Sequence, residues 1–591
     1  MKKLNVILLI LSFILSGIGS IFLFDATNTT NNTIQTVAPS NKIESEEITE
    51  YTYKTYEDYF IDNFNLPAET YTRDETTGKV TISYSQIARK TINGETELSY
   101  NGNTFYTISN DDLTGSGTEV DPYVVNSTKG FLYISNASLF SLNQNTYVEL
   151  NTNIILNDET FNQEGDAFGG DGIVYVWQYR SWRLCHFDGC GKTIFGAYYM
   201  YSSYSSFVGV FRDLREIKNL TLESIFMTAN HAASGFGHYI YKIINCNIKD
   251  SFIISTGEKA YGFTCSVPGG FEFDKIVVES CKNLNTTIKA KSGAAGICGK
   301  ALYISNCINY GNVYANSNAA GISDHGATKI SNCINYGKIV STNDWSYSSG
   351  ITSNPNFSSS SIITIINCIN HGEIHGINGV GGILGNTYVS IDIINCENHG
   401  KIKSSGSTYG EIVGRLNCPK TKMIDCKVYS ESLLPIWSRA IEGVVDVYID
   451  EFQYFNKNKR DNKSLTLFPN IQQSGKFTLK NSFFSISNSH FKLGGYKNFE
   501  ILNIIVKNTA QNGQNSIVDN DKISRGYIKI LGGLIYITKD SKFYYGSGFS
   551  GFYYSWRTGK VGLVALDGRG QFQGVIDEEW LKNNGYTKKS A

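Results

Sequence analysis

The stretch ISNCINYGNV, at residues 304–313, returns three times as the chain continues: ISNCINYGKI (330–339), IINCINHGEI (365–374) and IINCENHGKI (393–402). Looser copies surround Cys246, Cys281 and Cys426. The seven shared cysteines are separated by 35, 26, 26, 35, 28 and 30 residues. A helical repeat keeps a nearly fixed period, whereas a coil of strands accepts insertions in the loops that leave its cross-section. The variable spacing therefore favours a coil of strands.

A second signal lies between the cysteine rows, where a glycine precedes a large apolar residue, as in Gly296-Ile297 and Gly321-Ile322. The glycine follows the row cysteine by 14 to 17 residues in each unit, if Gly410 of YGEIVG is taken as the last member. With the G-x-I pair after the NC row, a unit holds three short strands and three turns. Such a unit is one rung of an all-β, right-handed parallel β-helix, whose rungs stack about 4.8 Å apart.

Stacked rungs place identical residues above one another, so the sequence predicts columns of cysteine, asparagine and aromatic rings. We expect the cysteines to be buried thiols, because parallel Cβ vectors on neighbouring strands make a relaxed disulfide difficult. We expect the asparagines to turn corners and to pair through stacked amides, and the rings to stack over a corner. The predicted ladder comprises Cys246, Cys281, Cys307, Cys333, Cys368, Cys396 and Cys426 with Asn306, Asn332, Asn367 and Asn395; a second asparagine column comprises Asn309, Asn335, Asn370 and Asn398; and the ring column comprises Tyr310, Tyr336, His371 and His399.

Cys185 and Cys190 stand outside these columns and flank a tight turn, HFDG. In an exported protein the two thiols could form a disulfide. A metal site that adds His186 and Asp188 from the same turn is the alternative, although zinc sites use closer, repeated ligand pairs. We therefore predict no metal centre.

Several stretches resemble a known family, the bacterial surface β-helix proteins with GLUG-type repeats. The likeness covers about residues 113–430. It includes the lead-in GSGTEVDPYVV (115–125), the stretches TYVELNTNIILND (146–158), WRLCHFDGCGKTIFGAYYM (182–200) and FVGVFRDLREIKNLTLESI (207–225), and the NC rows. This sequence departs from the family pattern at Cys190, where asparagine is usual, and at Gly209 to Phe211, which read GVF rather than GLF. The resemblance implies a β-helix on a cell surface and specifies no ligand or activity.

The N-terminal segment predicts export. Lys2 and Lys3 precede the apolar run LNVILLILSFILSGIGSIFLF, which is typical of a signal peptide or of a membrane anchor. In either case the rest of the chain is translocated. The predicted organisation is a signal peptide or anchor at 1–24, a flexible linker at 25–50, a small β-rich module at 51–112, the parallel β-helix at 113–540, and a C-terminal cap with a short helix at 541–591.

Composition excludes some classes of partner. The 591 residues carry a net charge of -1, so no overall field attracts nucleic acid or anionic lipid. The combination of 57 glycines with 8 prolines fits many tight turns between short strands. Neither a P-loop nor a dinucleotide fingerprint occurs between a strand and a helix, so no cofactor is predicted.

Aromatic residues in loops are the first candidates for function. Trp345 and Tyr347 lie in the insertion STNDWSYSSG, and variable loops on a rigid rod are common recognition sites. Trp177 and Trp182 are further predicted ligand-binding residues. The leading hypothesis is a non-enzymatic cell-surface protein that presents such loops for adhesion, or for binding a glycan or a surface protein.

Loop carboxylates support an alternative, a polysaccharide lyase or glycosidase on the same scaffold, since a fold does not fix a function. Glycosidases use a pair of converging carboxylates. A purely structural component of the cell envelope is the second alternative, and the sequence leaves the oligomeric state open. The candidate catalytic residues are Glu164, Asp166, Asp171 and Asp188, and separately the pair Asp324-His325.

Overall fold

The computed structural model describes residues 66–156 and 185–457, with gaps at 77–79, 84–85, 93–94, 108–112, 136–141, 202–206, 266–275, 356–361, 433, 438 and 441–445, and beyond residue 457 it describes strand segments only. These residues belong to one compact unit that begins at Tyr53. The predicted export segment, the linker, the C-terminal helix and the candidates Glu164, Asp166, Asp171, Trp177 and Trp182 lie outside the described residues. In the described part of the chain, no helix is long and apolar enough to span a bilayer.

The chain forms a parallel β-helix, as the repeats predicted. Each rung has up to five strand positions, which we name columns A to E in chain order. Columns A and B lie on either side of the row cysteine, and each strand pairs in parallel with its counterpart one rung away. Column A consists of Tyr147–Leu150, His186–Asp188, Glu216–Lys218, Lys242–Ile244, Val277–Glu279, Ile363–Ile366, Ile391–Ile394, Lys420–Ile424, Asp446–Asp450, Gln473–Ile486, Tyr496–Asn508 and Tyr527–Tyr536. Column B consists of Ile154–Ile155, Thr193–Phe195, Thr221–Glu223, Asn247–Lys249, Lys282–Leu284, Ile308–Asn309, Ile334–Asn335, Ile369–Asn370, Glu397–Asn398, Lys427–Ser430 and Gln453–Asn456.

Columns C and D are two eight-stranded parallel sheets that follow column B in every rung from residue 198 to residue 410. Column C consists of Tyr198–Tyr201, Phe226–Ala229, Phe252–Ser255, Thr287–Ala290, Val313–Ala315, Ile339–Ser341, Ile374–Gly376 and Ile402–Ser404. Column D consists of Phe207–Val208, Ala232–Ser234, Lys259–Tyr261, Gly293–Ala295, Asn318–Ala320, Ser348–Ser349, Val380–Gly381 and Tyr409–Gly410.

Column E follows the glycine-apolar pair and leads into column A of the next rung. In two rungs, columns E and A merge into one continuous strand, Cys298–Ser305 in the first and Ser323–Ser331 in the second. In the rung after these, Thr352 alone bridges Ser323 and Leu384. The separate strands of column E are Phe211–Leu214, Gly237–Ile240, Thr264–Cys265, Leu384–Thr387, Val413–Leu416 and Arg439–Ala440.

The remaining elements lie outside these columns. Thr128–Ile134 is an α-helix whose N-cap Ser127 accepts a hydrogen bond from the backbone N–H of Gly130 at 3.1 Å. Phe131 on this helix packs edge-on against Phe187 at the N-terminal end of the core. The sequence did not predict this helix, which covers the apolar N-terminal end of the core. The other elements are the 3₁₀-helix Ala68–Thr70 and the strands Tyr71–Arg73, Val80–Ile82, Ile87–Ile92, Glu95–Tyr100, Asn103–Thr107, Leu113–Thr114, Tyr123–Val125, Leu465–Thr466, Phe491–Lys492, Phe552–Tyr553 and Val564–Ala565.

The interior is filled by side chains that repeat from rung to rung. An apolar row runs up column A, for example Ile243, Val278 and Ile304, and these three side chains are buried. Each row cysteine is also buried, and its thiol donates to the carbonyl two residues earlier, at 3.3 Å in Cys368. Burial raises the pKa of this thiol well above its ordinary value. The seven column cysteines are free thiols and pack as small apolar side chains.

The two asparagine columns have different structural roles. The asparagine before the row cysteine turns the corner with a positive φ, 54° at Asn332, and donates to the preceding rung, at 3.1 Å to Asn306 Oδ1. The asparagine two residues after the cysteine is fully buried and donates to the following rung. Asn335 Nδ2 thus donates to Asn370 Oδ1 at 2.8 Å, and we call this second column the inner ladder. At its first rung, Asn309 Oδ1 is buried without a hydrogen-bond partner.

Glycine in the bend between columns D and E makes room for the inner ladder. A Cβ at Gly321 would lie 2.4 Å from Oδ1 of Asn335, so a larger residue would overlap the amide. The predicted last member of this glycine column was wrong by one residue. Gly381 pairs with Gly410, which puts Glu411, rather than Gly410, in register with Gly382.

Candidate ligand-binding site

Columns D and E fold against each other on the outside of the rod. Alternate residues of column D point in opposite directions: Ala294 belongs to the main core, whereas Ala295 belongs to a second buried cluster together with Tyr261 and Ala320. A Cβ at Gly299 in column E would lie 2.8 Å from the Tyr261 ring, which shows how closely the two columns approach. We call the outward side chains of columns D and E the bend face.

Two rows of polar side chains line the bend face. In column D, Lys259 pairs with Gly293 and Gly293 pairs with Asn318, which is followed in the next rung by Tyr347. In column E, Asn386 pairs with Arg415 of the next rung. The register therefore brings Lys259 and Tyr347 onto one row, three rungs apart.

A cavity of about 230 Å³ lies on the bend face beside the predicted binding residues. Trp345 is 81% exposed at its rim, and Tyr347 lies deeper, against Gly379, where a Cβ would come within 2.3 Å of the ring. Asn378 Nδ2 donates to the backbone carbonyl of Asp344 at 2.7 Å and joins the insertion to the next rung. The cavity is lined by Asp344, Trp345, Tyr347, Asn378, Ser407, Thr408 and Arg415.

The polar groups of this cavity, which we call the Trp345 pocket, are held in place before any ligand arrives. Burial, together with a hydrogen bond to Tyr388, raises the pKa of Tyr347 to about 12, against the opposing effect of hydrogen-bonded Arg415. Tyr347 therefore remains a neutral hydroxyl at physiological pH. The Nε of Arg415 is buried without a hydrogen-bond partner. The arrangement offers a ring face, a hydroxyl and a guanidinium to a ligand.

A second group of functional side chains gathers around the predicted pair Asp324-His325. Asp324 is fully buried and accepts hydrogen bonds from Tyr261 Oη at 3.2 Å and from Ser353 Oγ at 2.8 Å. Its Oδ2 also lies 3.3 Å from His325 Nε2, and the same ring nitrogen lies 3.3 Å from Lys259 Nζ. We call these five residues the Asp324 cluster.

The charges around His325 decide its protonation. The Asp324 carboxylate raises the pKa of His325, but burial and the positive charges of Lys259 and Lys300 outweigh it, and the pKa lies below its ordinary value of 6.5. Burial also lowers the pKa of Lys300. His325 is therefore neutral at pH 7, and its tautomer decides whether Nε2 donates to Asp324 or accepts from Lys259.

Of the four predicted loop carboxylates Glu164, Asp166, Asp171 and Asp188, the structure describes Asp188, which belongs to a turn rather than to a cleft. Its carboxylate accepts from the backbone N–H of Cys190 at 2.8 Å and lies 3.1 Å from Lys218 Nζ. The ligand atoms of Glu149, Asp188 and Cys190 lie within 4.8 Å of one another. The Asp188 carboxylate is thus already paired with the backbone of its own turn and with Lys218 of the next rung.

The predicted disulfide between Cys185 and Cys190 is not formed in the structure, where both thiols are free. Cys185 points into the core and is fully buried, whereas Cys190 is exposed in a turn with a φ of 49°. The turn sends the two side chains to opposite sides of the strand layer, which explains why they do not pair.

The rings of the ring column stack on one another at the surface, so the rings inside the stack do not offer a free face to a ligand. Tyr310 and Tyr336 lie 4.8 Å apart and nearly parallel, and the stack continues through His371, His399 and Tyr429. Each ring face inside the stack is covered by its neighbours. A sugar that binds by stacking needs a free ring face, which Trp345 offers and this stack does not.

Comparisons with known proteins identify no family. No family model matches the chain, and no curated protein matches it. One solved structure, from Bacteroides ovatus and described as a "putative immunoglobulin A1 protease", aligns over 73% of this chain and 86% of its own, with 13% identity and a TM-score of 0.25. A likeness at that score carries no argument about function.

Signals in the sequence located part of this site. The insertion around Trp345 marked the Trp345 pocket, and the adjacent acid and histidine at Asp324 marked the Asp324 cluster. Sequence reasoning missed the residues that other rungs contribute. Those residues are Lys259, Tyr261, Lys300, Ser353, Asn378 and Arg415, and each occupies an unremarkable strand or turn position that only the rung register brings to the site.

Proposed function

We propose that this chain is an exported, non-enzymatic cell-surface β-helix protein of the GLUG-repeat type that binds a glycan in the Trp345 pocket. The basic and apolar N-terminal segment supports export, and the chain is then either anchored by that segment or secreted. The rigid rod supports a presenting role, because it holds its loops at fixed positions.

The observation that carries this proposal is the presence of an exposed Trp345 ring and a partly buried Tyr347–Arg415 pair in one cavity. An indole face packs against the apolar face of a sugar. Fixed polar groups beside it then select among hydroxyl and anionic substituents. An exposed tryptophan also has no part in the core, so folding alone does not account for it.

A glycan array probed with residues 51–591 tests the proposal. We expect binding to a restricted set of glycans, and at least about a fivefold loss of affinity in Trp345→Ala, which corresponds to roughly 1 kcal/mol. Tyr303→Ala is the matched control, because Tyr303 is a partly exposed aromatic residue on the rod, with 46% of its surface exposed, outside the cavity. Equal binding by both variants, or by neither, would contradict a site at Trp345.

A second candidate, a carbohydrate-active enzyme, is favoured by the Asp324 cluster, in which a buried carboxylate lies beside a neutral histidine. A polysaccharide-cleavage screen distinguishes it. Release of new reducing ends by the parent protein but not by His325→Gln would replace the binding role with catalysis. Silence in both the array and the screen would favour a structural envelope component.

A further inference from the structure

We propose that the glycan is anionic and lies along the rod axis, with its charged substituent at Lys259 and Lys300 and a sugar ring at Trp345. This inference rests on the proposed glycan binding and names the class of sugar. The charged substituent is a carboxylate or a sulfate, since both present the same oxyanion to an ammonium group.

The first support is the register. Lys259 and Tyr347 occupy the same row of column D, separated by three rungs. At about 4.8 Å per rung, the separation is about 14 Å along the axis. An extended oligosaccharide can therefore contact both ends of the bend face at once, whereas a single sugar cannot.

The second support is the balance of charge around His325 of the Asp324 cluster. Two lysines, Lys259 and Lys300, act on His325, while the carboxylate that opposes them there, Asp324, is fully buried and already accepts from Tyr261 and Ser353. His325 carries no charge at pH 7. An approaching anion therefore meets the Lys259 ammonium beside His325, while the Asp324 carboxylate lies below the surface.

The third support is that the cluster is built into the fold. A Cβ at Gly293 would lie 2.2 Å from Oδ2 of Asp324, so glycine is required there to admit the carboxylate. Asp324 lies 3.3 Å from His325, and His325 in turn holds the Lys259 ammonium through a 3.3 Å contact. A lysine whose only role is solubility needs no such support.

Affinity measurements on matched oligomers test this inference. The probes are an oligogalacturonate long enough to span about 14 Å, its fully methyl-esterified neutral form, galacturonate monomer, and a sulfated oligosaccharide of similar length. We expect the charged oligomers to bind at least about tenfold more tightly than the neutral form and the monomer, with the difference shrinking at high salt. Preference for the carboxylated or for the sulfated oligomer identifies the substituent.

Variants separate the two ends of the site. Lys259→Gln should remove most of the preference for charged oligomers over the neutral form, and Lys259→Arg should restore part of that preference. Lys289→Gln is the control, because Lys289 is exposed on column C, away from the bend face. Thermal unfolding of each variant shows whether it remains folded.

The outcomes distinguish this inference from the proposed function. If Trp345→Ala weakens every oligomer while Lys259→Gln changes none, glycan binding stands and the anionic site is overturned. If no oligomer binds, the proposed glycan-binding function fails. An NMR titration of His325 with galacturonate monomer then tests the anion-binding site by itself. An anion beside Lys259 should raise the pKa of His325, and an unchanged pKa would overturn the site.

Discussion

Asn398 Nδ2 donates to Oε2 of Glu411 at 2.8 Å, so the inner ladder ends on a carboxyl group. Glu411 occupies the bend position that the preceding rungs give to glycine, and its side chain extends inward where the glycines leave space for an amide. Ser430 Oγ hydrogen-bonds the other carboxyl oxygen. Burial raises the pKa of Glu411 to about 7, although both hydrogen bonds act in the opposite direction.

Glu411 should make stability depend on pH near neutrality. Its pKa in the folded chain lies above the ordinary value of 4.5, so its stabilising contribution is complete below about pH 4.5 and is lost as the pH rises through about 7. The loss is on the order of 3 kcal/mol. We expect Glu411→Gln, which keeps a neutral side chain of the same shape, to reduce this slope in urea unfolding between about pH 5 and pH 8.

Glu431→Gln is the control for that measurement, because Glu431 is about half exposed and forms only a surface ion pair with Lys401 at 3.6 Å. It should leave the pH slope unchanged. Equal slopes in the parent and in Glu411→Gln would contradict a titrating carboxyl at the end of the ladder.

The inner asparagines should matter more to stability than the corner asparagines. Asn335→Ala removes two buried amide hydrogen bonds between rungs and leaves a cavity, so we expect a loss of about 2–4 kcal/mol in the free energy of unfolding. Asn332→Ala removes exposed bonds and places alanine at a φ of 54°, which should cost about 1–2 kcal/mol. Denaturant unfolding compares them, and a larger loss in Asn332→Ala would reverse the assignment.

Native-state thiol labelling should separate Cys190 from the cysteine column. Cys190 is exposed, but burial of part of its surface and the nearby Asp188 and Glu149 carboxylates raise its pKa to about 11. We expect slow modification of Cys190 that accelerates as the pH is raised. Peptide mapping by mass spectrometry should show Cys307 and Cys333 unmodified until the chain unfolds. Early modification of either would show that the column is accessible.

Gly293 should be intolerant of a side chain for a specific reason. Gly293→Ala brings a methyl group against the Asp324 carboxylate, and we expect a loss of about 1–3 kcal/mol in the free energy of unfolding. The penalty should shrink in an Asp324→Ala background, because the overlapping atoms are gone. A double-mutant cycle measures the coupling, and additive effects would place the strain elsewhere.

The repeated rows were enough to predict the parallel β-helix, because a cysteine row at 26 to 35 residue steps constrains both rung length and register. They were not enough to place Glu411 correctly. In the sequence Gly410 continues the 14-residue spacing, and only the pairing of Gly381 with Gly410 shows the shift of one residue. The N-terminal helix at Thr128–Ile134 was missed because its seven residues give a weak periodic signal.

The sequence identified only part of the candidate site, because it shows insertions within a rung but not contacts between rungs. Trp345 and Tyr347 stand out because an insertion interrupts an otherwise regular rung. Arg415 comes from two rungs later, and its position beside Tyr347 depends on insertions of different length in the intervening rungs. Spacing within one row carries no information about such contacts between rows.

The inner ladder also determines how the rod can change length. Each internal amide donates to one neighbouring rung and accepts from the other, so the only exceptional groups are the unpaired Asn309 Oδ1 at one end and Glu411 at the other. Inserting or deleting a whole rung between them leaves the number of unpaired polar groups unchanged. Duplication of a rung is therefore nearly neutral for the buried amides, and the near-identical rows at 304–313 and 330–339 are what such duplication would produce.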